Sequence, residues 1–258
     1  MCTMTWFLTN GGYELFFNRD EQITRSRALP PSIQQHSEER GGLRYLSPTD
    51  ADAGGTWIAS NQSGVTVCLL NHYQFQQIST YKNWISRGEI VREFSQFVDL
   101  KQAQRHFESF NLDDFRAFRM FVIEPSGRNL LLVWDGHAAR VEVNVTGPKS
   151  SSSVDAKHVK SIRKTLFSDM GLASSTRTED FIKYHSSHYP SKSKYSVCMH
   201  RQDARTVSFS HVTVDSQNVT YRYADGSPCE AELSSPVSIP LILEPIMLEH
   251  TAIKTVSL

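Results

Sequence analysis

The residues best equipped for chemistry are Cys2, directly after the initiator methionine, and the polar run Asn18-Arg19-Asp20-Glu21. Aminopeptidases normally remove an initiator methionine that precedes a residue as small as cysteine. Cys2 would then carry a thiol and an α-amine whose reference pKa is about 8, so that the amine can act as the base. A cation such as Arg19 next to the sulfur would favour the thiolate, which is the reactive form. This layout predicts an N-terminal nucleophile; the alternative is that Cys2 is simply a small residue on a strand.

A β-hairpin is predicted to bring Cys2 and the polar run together. Its strands are Cys2–Leu8 and Tyr13–Phe17, and Asn10-Gly11 between them is the strongest short hairpin signal. A two-residue turn would place Cys2 opposite Arg19, whereas a three-residue turn would place it opposite Asp20. In either register a charged side chain lies beside the sulfur, with Cβ atoms about 5 Å apart.

The hydrophobic pattern favours the two-residue turn. The opposed pairs in that register are Met4 and Phe17, Trp6 and Leu15, and Leu8 and Tyr13. The large residues then share one face of the hairpin, which is how a half-buried sheet sets its pairing. The three-residue turn would oppose Met4 to Asn18, which makes a poorer face. We therefore expect Met4, Trp6, Leu15 and Phe17 to be buried together.

The rest of the chain is predicted as blocks of strands, then helices, then strands. The expected strands are Trp57–Ser60, Val65–Leu70, Phe118–Glu124, Leu130–Trp134, Val141–Val145, Tyr195–Met199, Val207–Val214 and Val219–Tyr223. The capping box Ser86-x-x-Glu89 should open a helix with Ile90, Val91, Phe94, Phe97 and Val98 on one side. Further helices are expected through Phe107, over Val159, Ile162, Leu166 and Met170 after a loop and N-cap at Ser150–Ser153, and at Phe181–Tyr184. Because strands and helices do not alternate, helices should be layered on largely antiparallel sheets.

Composition excludes several classes of partner. Lys plus Arg and Asp plus Glu both number 27, so that no net field attracts nucleic acid or an anionic membrane. The cysteines are Cys2, Cys68, Cys198 and Cys229, without a Cys-x-x-Cys motif, and this spacing favours neither zinc nor disulfides. No metal site is therefore predicted.

The hydropathy pattern predicts a cytoplasmic protein without a transmembrane segment. No basic residue precedes Arg19 and no signal-peptide h-region is present. The apolar stretch Pro240–Leu248 is interrupted by Glu244 and Pro245, and it is too short to span a bilayer. The oligomeric state does not follow from the pattern.

Further motifs accompany the N-terminal signal. They are Gly54-Gly55-Thr56-Trp57, Leu70-Asn71-His72-Tyr73, Ser86-Arg87-Gly88-Glu89, and the late pairs Val197-Cys198 and Arg205-Thr206. Together with Cys2 and the Asn18–Glu21 run, they resemble the signature of the NRDE-motif family, named for transport and Golgi organisation protein 2. The resemblance covers the N-terminal third well and thins towards the C-terminus.

The resemblance implies an α+β fold over residues 1–258 as one domain. This fold is an Ntn-hydrolase-like, four-layer αββα sandwich of two largely antiparallel sheets, similar in its opening hairpin to cysteine-type amidases that cleave bile-salt and penicillin V amides. The family is also linked to moving haem and to handling lipids and acyl-CoA. Two functions stay open: a cytosolic carrier of haem or another amphipathic ligand such as acyl-CoA, and an N-terminal-cysteine amidohydrolase that cleaves a linear amide.

For a hydrolase, the resemblance implies a catalytic set around the thiol. Its members would be Cys2, Arg19, Asp20, Asn71 and Arg205. An amide donor such as Asn71 could meet a developing oxyanion, a contact worth about 3 to 4 kcal/mol in the transition state. The amidases also have an asparagine on a mid-chain segment, where this chain reads Lys149-Ser150-Ser151-Ser152. That departure favours the carrier.

For a carrier, the resemblance implies a polar rim around the ligand. Its members would be Asn18, Arg19, Asp20, Glu21, Asn71, His72 and Arg205. Arginines at the rim could pair with haem propionates or with acyl-CoA phosphates. The candidate axial ligands for haem are His72, then His185 and His188, or the thiolate of Cys2.

Overall fold

Two antiparallel sheets pack face to face, and helices cover the outer face of each, in a computed structural model that describes residues 2–73 and 83–242. The strands are β1 Cys2–Thr9, β2 Gly12–Gln22, β3 Leu29–Gln35, β4 Arg44–Thr49, β5 Ile58–Asn61, β6 Thr66–Asn71, β7 Phe118–Ile123, β8 Asn129–Trp134, β9 Ala139–Val143, β10 Lys149–Ser151, β11 Ala204–Val214, β12 Asn218–Ala224 and β13 Val237–Pro240. The helices are α1 Arg87–Phe94, α2 Leu100–Ser109, α3 Ala156–Asp169 and α4 Thr178–His185. A short 3-10 helix spans Glu38–Arg40.

The first sheet has the strand order β10-β1-β2-β11-β12-β13, and the second runs from β3 to β9 in chain order. The opening hairpin therefore lies inside the first sheet, where β10 flanks β1 and β11 flanks β2. A central position leaves neither strand of the hairpin with an open edge. Apolar layers cover both faces of the hairpin, so that Met4 on one face and Phe16 on the other are buried.

The hairpin has the register that the two-residue turn predicts. Cys2 pairs with Arg19, Met4 with Phe17, Trp6 with Leu15 and Leu8 with Tyr13. Gly11 in the turn has a φ of 97°, in the left-handed region that glycine adopts without strain. Met4, Leu15 and Phe17 have no exposed surface, and Trp6 packs against them. The prediction of one shared buried face is confirmed.

Three apolar layers separate the helices and sheets. Met4, Phe17 and Phe121 belong to the layer between the two sheets. Helices α1 and α2 pack on the second sheet through residues such as Phe94 and Phe107. Helices α3 and α4 pack on the first sheet around Phe16, Phe167 and Phe181. The order helix, sheet, sheet, helix confirms the predicted αββα sandwich.

Two segments differ from their predicted structure. Ser150 and Ser151, expected in a loop, belong to β10, which pairs with β1 and so closes the edge beside Cys2. The segment Tyr195–Met199, expected as a strand, has irregular backbone instead. There Ser196 donates to the carbonyls of Ser193 and Cys198, local bonds that compete with strand pairing.

Helix α1 begins as predicted but is shorter. Ser86 is its N-cap and accepts a hydrogen bond from the Gly88 N–H at 3.3 Å. The helix ends at Phe94, so that Phe97 lies beyond it while still packing against the same apolar layer. Within residues 2–73 and 83–242, none of the helices has the length and hydrophobicity needed to cross a membrane. The predicted apolar stretch Pro240–Leu248 lies mostly outside these residues.

Candidate functional site

A cavity of about 360 Å³ lies beside Cys2. Its walls come from the start of β1, the end of β2, the end of β6, the loop before β5 and the start of α1. Each of the N-terminal motifs identified in the sequence therefore contributes residues to the lining of this cavity. Polar and aromatic side chains share the lining, which suits a ligand that is itself part polar and part apolar.

Strand alternation divides the Asn18-Arg19-Asp20-Glu21 run between two faces of β2. Adjacent residues of a strand point to opposite sides of its sheet. Arg19 and Glu21 face the cavity with Cys2. Asp20 also borders the cavity, but its carboxylate and the side chain of Asn18 bond to groups on the helix side of the sheet, so that the four side chains do not all face the cavity.

Arg19 is held by the Trp57 ring and by two carboxylates, of which Glu21 is 4.0 Å away. Its guanidinium lies 4.0 Å from the centre of the Trp57 ring, and its Nη2 is 2.5 Å from Oδ2 of Asp50. Arg25 also donates to Asp50, at 2.9 Å. Burial acts to raise the pKa of Asp50, but the hydrogen bond from Arg25 and the charge of Arg19 outweigh it and hold the pKa below its usual value. Arg19 is therefore already paired with an ionised carboxylate.

Cys2 is a buried thiol at the cavity wall. Burial raises its pKa above the usual value, and the charge of Arg19 is too weak to reverse that effect. Arg19 does lower the pKa of Cys2, as expected, but its guanidinium is also paired with Asp50. The Cys2 N–H donates to Oγ of Ser151 at 3.0 Å. In a chain without its first methionine, Ser151 would hold the α-amine through the same atom.

The alkylation rate of Cys2 should depend steeply on pH. In the chain that retains Met1, we expect the rate with iodoacetamide to rise about tenfold per pH unit between about pH 7 and 9, because the thiolate fraction does so below the pKa. Peptide mass spectrometry over a time course would measure it. Cys68 is the control, since it has no exposed surface and should react more slowly at every pH. A rate for Cys2 that is already constant near pH 7 would contradict the raised pKa.

Gly55 and Gly88 allow a loop and a helix to meet at the cavity wall. A Cβ on Gly55 would lie 2.7 Å from the backbone carbon of Gly88, which is too close for any side chain. The Thr56 N–H donates to the Gly88 carbonyl at 3.3 Å across this contact. The two glycine-containing motifs thus bring Trp57 and Arg87 to one cavity.

Asn71 and His72 point in different directions at the end of β6. Asn71 lines the cavity, and its Nδ2 donates to the Tyr73 hydroxyl at 2.7 Å. Its role as an oxyanion donor stays a prediction. His72 does not line the cavity; it is buried, and burial together with the nearby charge of Arg119 lowers its pKa to about 4.

The other histidines named as axial ligands lie elsewhere too. His185 is the last residue of α4 and is fully buried, and it bonds to Thr5 at 2.8 Å and to Asn18 at 3.0 Å. Burial lowers its pKa to about 3, so it is neutral. His188 lies near Cys198, Cys229 and His200. Among the described residues, no histidine lines the cavity beside Cys2.

Arg205 borders a neighbouring cavity of about 220 Å³. It pairs with Glu21 across β11 and β2, and its side chain is exposed. Arg19 and Glu21 line both cavities. Arg19 therefore shares the neighbouring cavity with Arg205, as expected, but shares the first cavity with Cys2. Arg205 does not line the cavity that contains the thiol.

Beneath the hairpin lies a buried polar cluster that the sequence analysis missed. The Asp20 Oδ1 accepts from Thr206 at 2.7 Å, and its Oδ2 lies 3.6 Å from Nη1 of Arg163. The same Nη1 donates to the Thr3 hydroxyl. Both charged side chains are fully buried, and burial raises the pKa of Asp20 although Arg163 opposes this. Asp20 thus anchors α3 to the hairpin.

Helical spacing could have revealed Arg163. The buried residues of α3 are Val159, Arg163 and Phe167, one turn apart. Our predicted face contained Ile162 and Leu166, which are only half-buried. An arginine in phase with apolar residues indicates a buried partner of opposite charge, because a lone buried cation is too costly. The sequence contains no comparable pattern that would indicate Asp50 as the partner of Arg19 or Ser151 as the partner of Cys2.

Arg87, at the first turn of α1, is a half-buried cation in the cavity wall. It donates to the Ala117 carbonyl at 3.2 Å. No carboxylate among residues 2–73 and 83–242 forms a salt bridge with it. Trp84 also lines the cavity, with the guanidinium of Arg116 5.9 Å from its ring centre. The wall near Arg87 can accept an anion without displacing an existing carboxylate.

The sequence matches one family model. Residues 1–184 match the model of the family described as Transport and Golgi organisation 2. A search of curated proteins gave no match.

Solved structures share the fold at low sequence identity. A cysteine-to-alanine mutant of conjugated bile acid hydrolase from Clostridium perfringens has a TM-score of 0.54 and 11% identity, covering 93% of this chain and 92% of that chain. Penicillin V acylase from Agrobacterium tumefaciens has a TM-score of 0.52 and 12% identity, covering 87% and 83%. The N-acylethanolamine-hydrolyzing acid amidase ortholog of Caenorhabditis elegans has a TM-score of 0.53 and 11% identity, covering 82% and 92%. These similarities show an Ntn-hydrolase-like fold.

Proposed function

Because this chain belongs to the Transport and Golgi organisation 2 family, whose model matches residues 1–184, we propose that it is a cytosolic carrier of an amphipathic anion. The ligand binds in the cavity beside Cys2, and haem and acyl-CoA are the ligand classes that we propose. Both combine a large apolar part with carboxylates or phosphates. In this proposal the Ntn-hydrolase-like fold serves binding and not turnover.

The observation that supports this proposal best is the state of Arg87. It is half-buried at the cavity wall, and its only described polar partner is the Ala117 carbonyl. Burial lowers the pKa of its guanidinium, which nevertheless stays charged at neutral pH. A half-buried cation without a carboxylate bears part of the desolvation cost, which an anionic ligand would offset. A carboxylate or phosphate can bond such a guanidinium through two parallel hydrogen bonds.

Aromatic side chains supply the apolar half of the cavity. Trp57 and Trp84 both line it, together with Leu69 and Ile85. Indole rings offer flat apolar surface at a small entropic cost, and they suit a porphyrin face or an acyl chain equally. Arg19, Glu21 and Asp50 add polar groups to the lining, and the guanidinium of Arg19 lies over the Trp57 ring. The ligand's anionic end should therefore lie near Arg87 and its apolar part along the indoles.

We propose that haem would bind in this cavity through the haem propionates and not through an axial ligand of the iron. No described residue of the lining is a histidine, and Cys2 has a raised pKa that disfavours the thiolate ligand.

The amidohydrolase remains a second candidate, supported by one observation: Cys2 lines the cavity beside Asn71, with its backbone nitrogen held by Ser151. In that case, after loss of Met1, the thiol would attack the carbonyl carbon of a linear amide and its proton would pass through the α-amine to the departing amine, leaving a thioester that water hydrolyses.

The Arg87→Ala variant should bind an amphipathic anion about ten to a hundred times more weakly than the wild type. The loss corresponds to one charge-assisted hydrogen bond of about 1.5 to 3 kcal/mol. Quenching of tryptophan fluorescence by haemin and, separately, by palmitoyl-CoA would measure the affinity. Arg105→Ala is the matched control, because Arg105 is exposed on α2 away from the cavity. Equal affinities of wild type and Arg87→Ala for both ligands, or no wild-type binding at micromolar concentration, would contradict the proposal.

A further inference from the structure

Four potential metal ligands meet at one point outside the cavity. They are His188, Cys198, His200 and Cys229, and their ligand atoms all lie within 4.8 Å of one another. The two sulfurs are 3.4 Å apart, and each is 3.5 Å from Nε2 of His200. The Nε2 atoms of His188 and His200 are 3.3 Å apart. None of the four residues lines the cavity beside Cys2.

These separations match the edges of a tetrahedron around one metal ion. Zinc binds sulfur at about 2.3 Å and imidazole nitrogen at about 2.0 to 2.1 Å. A regular tetrahedron with those bonds has edges of about 3.8 Å between sulfurs, about 3.6 Å between sulfur and nitrogen, and about 3.3 Å between nitrogens. The four distances given above differ from these edges by a few tenths of an ångström at most, and the two between His188 and the sulfurs are within 4.8 Å. We propose that His188, Cys198, His200 and Cys229 bind one zinc ion.

The ligand types select zinc and a structural role. A tetrahedral set of two sulfurs and two imidazole nitrogens favours zinc over calcium, magnesium or manganese, which prefer oxygen. Structural zinc sites use four protein ligands, whereas catalytic sites leave one position for water. All four ligands here come from the protein. The sequence did not predict the site because the ligands are widely spaced and include no Cys-x-x-Cys pair.

The ligands lie on irregular segments that the backbone holds together. The segment 186–203 has no helix or strand and carries three of the ligands, while Cys229 follows β12. The Cys198 N–H donates to the Ser187 carbonyl at 3.0 Å. The Ser186 hydroxyl donates to the Pro228 carbonyl at 3.1 Å. The ligands are thus brought together by the fold, and an ion would cross-link two segments that lack a regular ladder.

The ion would also position the hairpin's buried polar residues. The Val197 carbonyl, next to Cys198, accepts from Nδ2 of Asn18 at 3.0 Å. The Met199 N–H donates at 2.8 Å to the hydroxyl of Thr206, which bonds Asp20. Residues next to two of the ligands therefore form hydrogen bonds, directly or through Thr206, with the β2 side chains that point away from the cavity. The zinc site supports the site around Cys2 without taking part in its chemistry.

The first test is the metal content of the full chain. Protein purified under reducing conditions, incubated with zinc and then desalted, should retain one zinc per chain by mass spectrometry of the metal. Cys229→Ser should lower the zinc affinity by more than about 100-fold, since even second-layer contacts of a zinc site change it by about 10 to 100-fold. Cys68→Ser is the matched control, because Cys68 is a buried thiol of another sheet and should keep the ion. Wild-type protein that is folded by circular dichroism yet retains no zinc would overturn the proposal.

The second test identifies the ligands directly. Cobalt-loaded wild type should show the intense visible bands of tetrahedral Co²⁺ and a thiolate charge-transfer band, which weakens in Cys229→Ser. Zinc should protect Cys229, which is partly exposed, from iodoacetamide, and a chelator should remove that protection without affecting Cys68. Bound zinc that leaves Cys229 reactive, or a Cys198–Cys229 disulfide in the reduced preparation, would overturn the assignment. The protection experiment uses the wild type alone and needs no variant to fold.

Discussion

Replacing Cys2 with alanine should leave binding of haemin or palmitoyl-CoA within about twofold of wild type, because a carrier uses Arg87 and the indoles and not the thiol. The same change should remove amide hydrolysis by a factor on the order of 10⁴ or more in any preparation that shows it, since the covalent route is lost. Fluorescence titration and an amide-hydrolysis screen on one pair of proteins would measure both quantities. Arg87→Ala provides the converse pattern, with weaker binding.

The processing of Met1 decides how the screen is interpreted. Intact-mass spectrometry should accompany each preparation, because only a free Cys2 amine can act as the base. In such a chain, Ser151→Ala should slow hydrolysis, since the Ser151 hydroxyl lies 3.0 Å from that nitrogen. Turnover in the wild type that Cys2→Ala abolishes would establish the amidohydrolase. Loss of anion binding in Cys2→Ala would contradict the carrier as proposed.

Local rules were enough to predict the hairpin. The Asn10-Gly11 turn and the alternation of Met4, Trp6, Leu15 and Phe17 specify a register in which Cys2 faces Arg19. The same alternation could have separated Arg19 from Asp20 in advance, because neighbours on a strand face opposite sides. Instead, we expected the whole polar run to act together.

Contacts between distant elements could not be predicted in this way. Asp50 neutralises Arg19, and Ser151 bonds the Cys2 nitrogen, but neither has a spacing that indicates its partner. The proposed zinc ligands are likewise separated by strands and loops. Their proximity follows from the hydrogen bonds of the segment 186–203 to β11 and to the loop after β12. Short motifs report on local structure, whereas these pairs depend on the completed fold.

The buried pair of Asp20 and Arg163 links the hairpin to α3, and it should be the chain's most sensitive polar contact. Both side chains are fully buried, with Oδ2 and Nη1 3.6 Å apart. Replacing Arg163 with methionine would leave the carboxylate buried without its cation. We expect the free energy of unfolding to fall by about 3 to 5 kcal/mol at neutral pH, the usual cost of breaking a buried pair from one side. Urea unfolding followed by circular dichroism would measure it.

The pH dependence of that loss identifies its cause. Loss of Arg163 raises the folded-state pKa of Asp20 further above its unfolded value, so the variant's stability falls as pH rises through the folded pKa. The penalty should therefore be smaller at about pH 4.5 than at about pH 7.5, where the unfolded chain ionises Asp20 freely. Lys164→Met on the exposed face of α3 is the matched control and should change stability by less than about 0.5 kcal/mol. The double variant Asp20→Asn, Arg163→Met should recover most of the loss, because no buried charge remains. An equal penalty at both pH values would show that the loss comes from packing and not from the unpaired carboxylate.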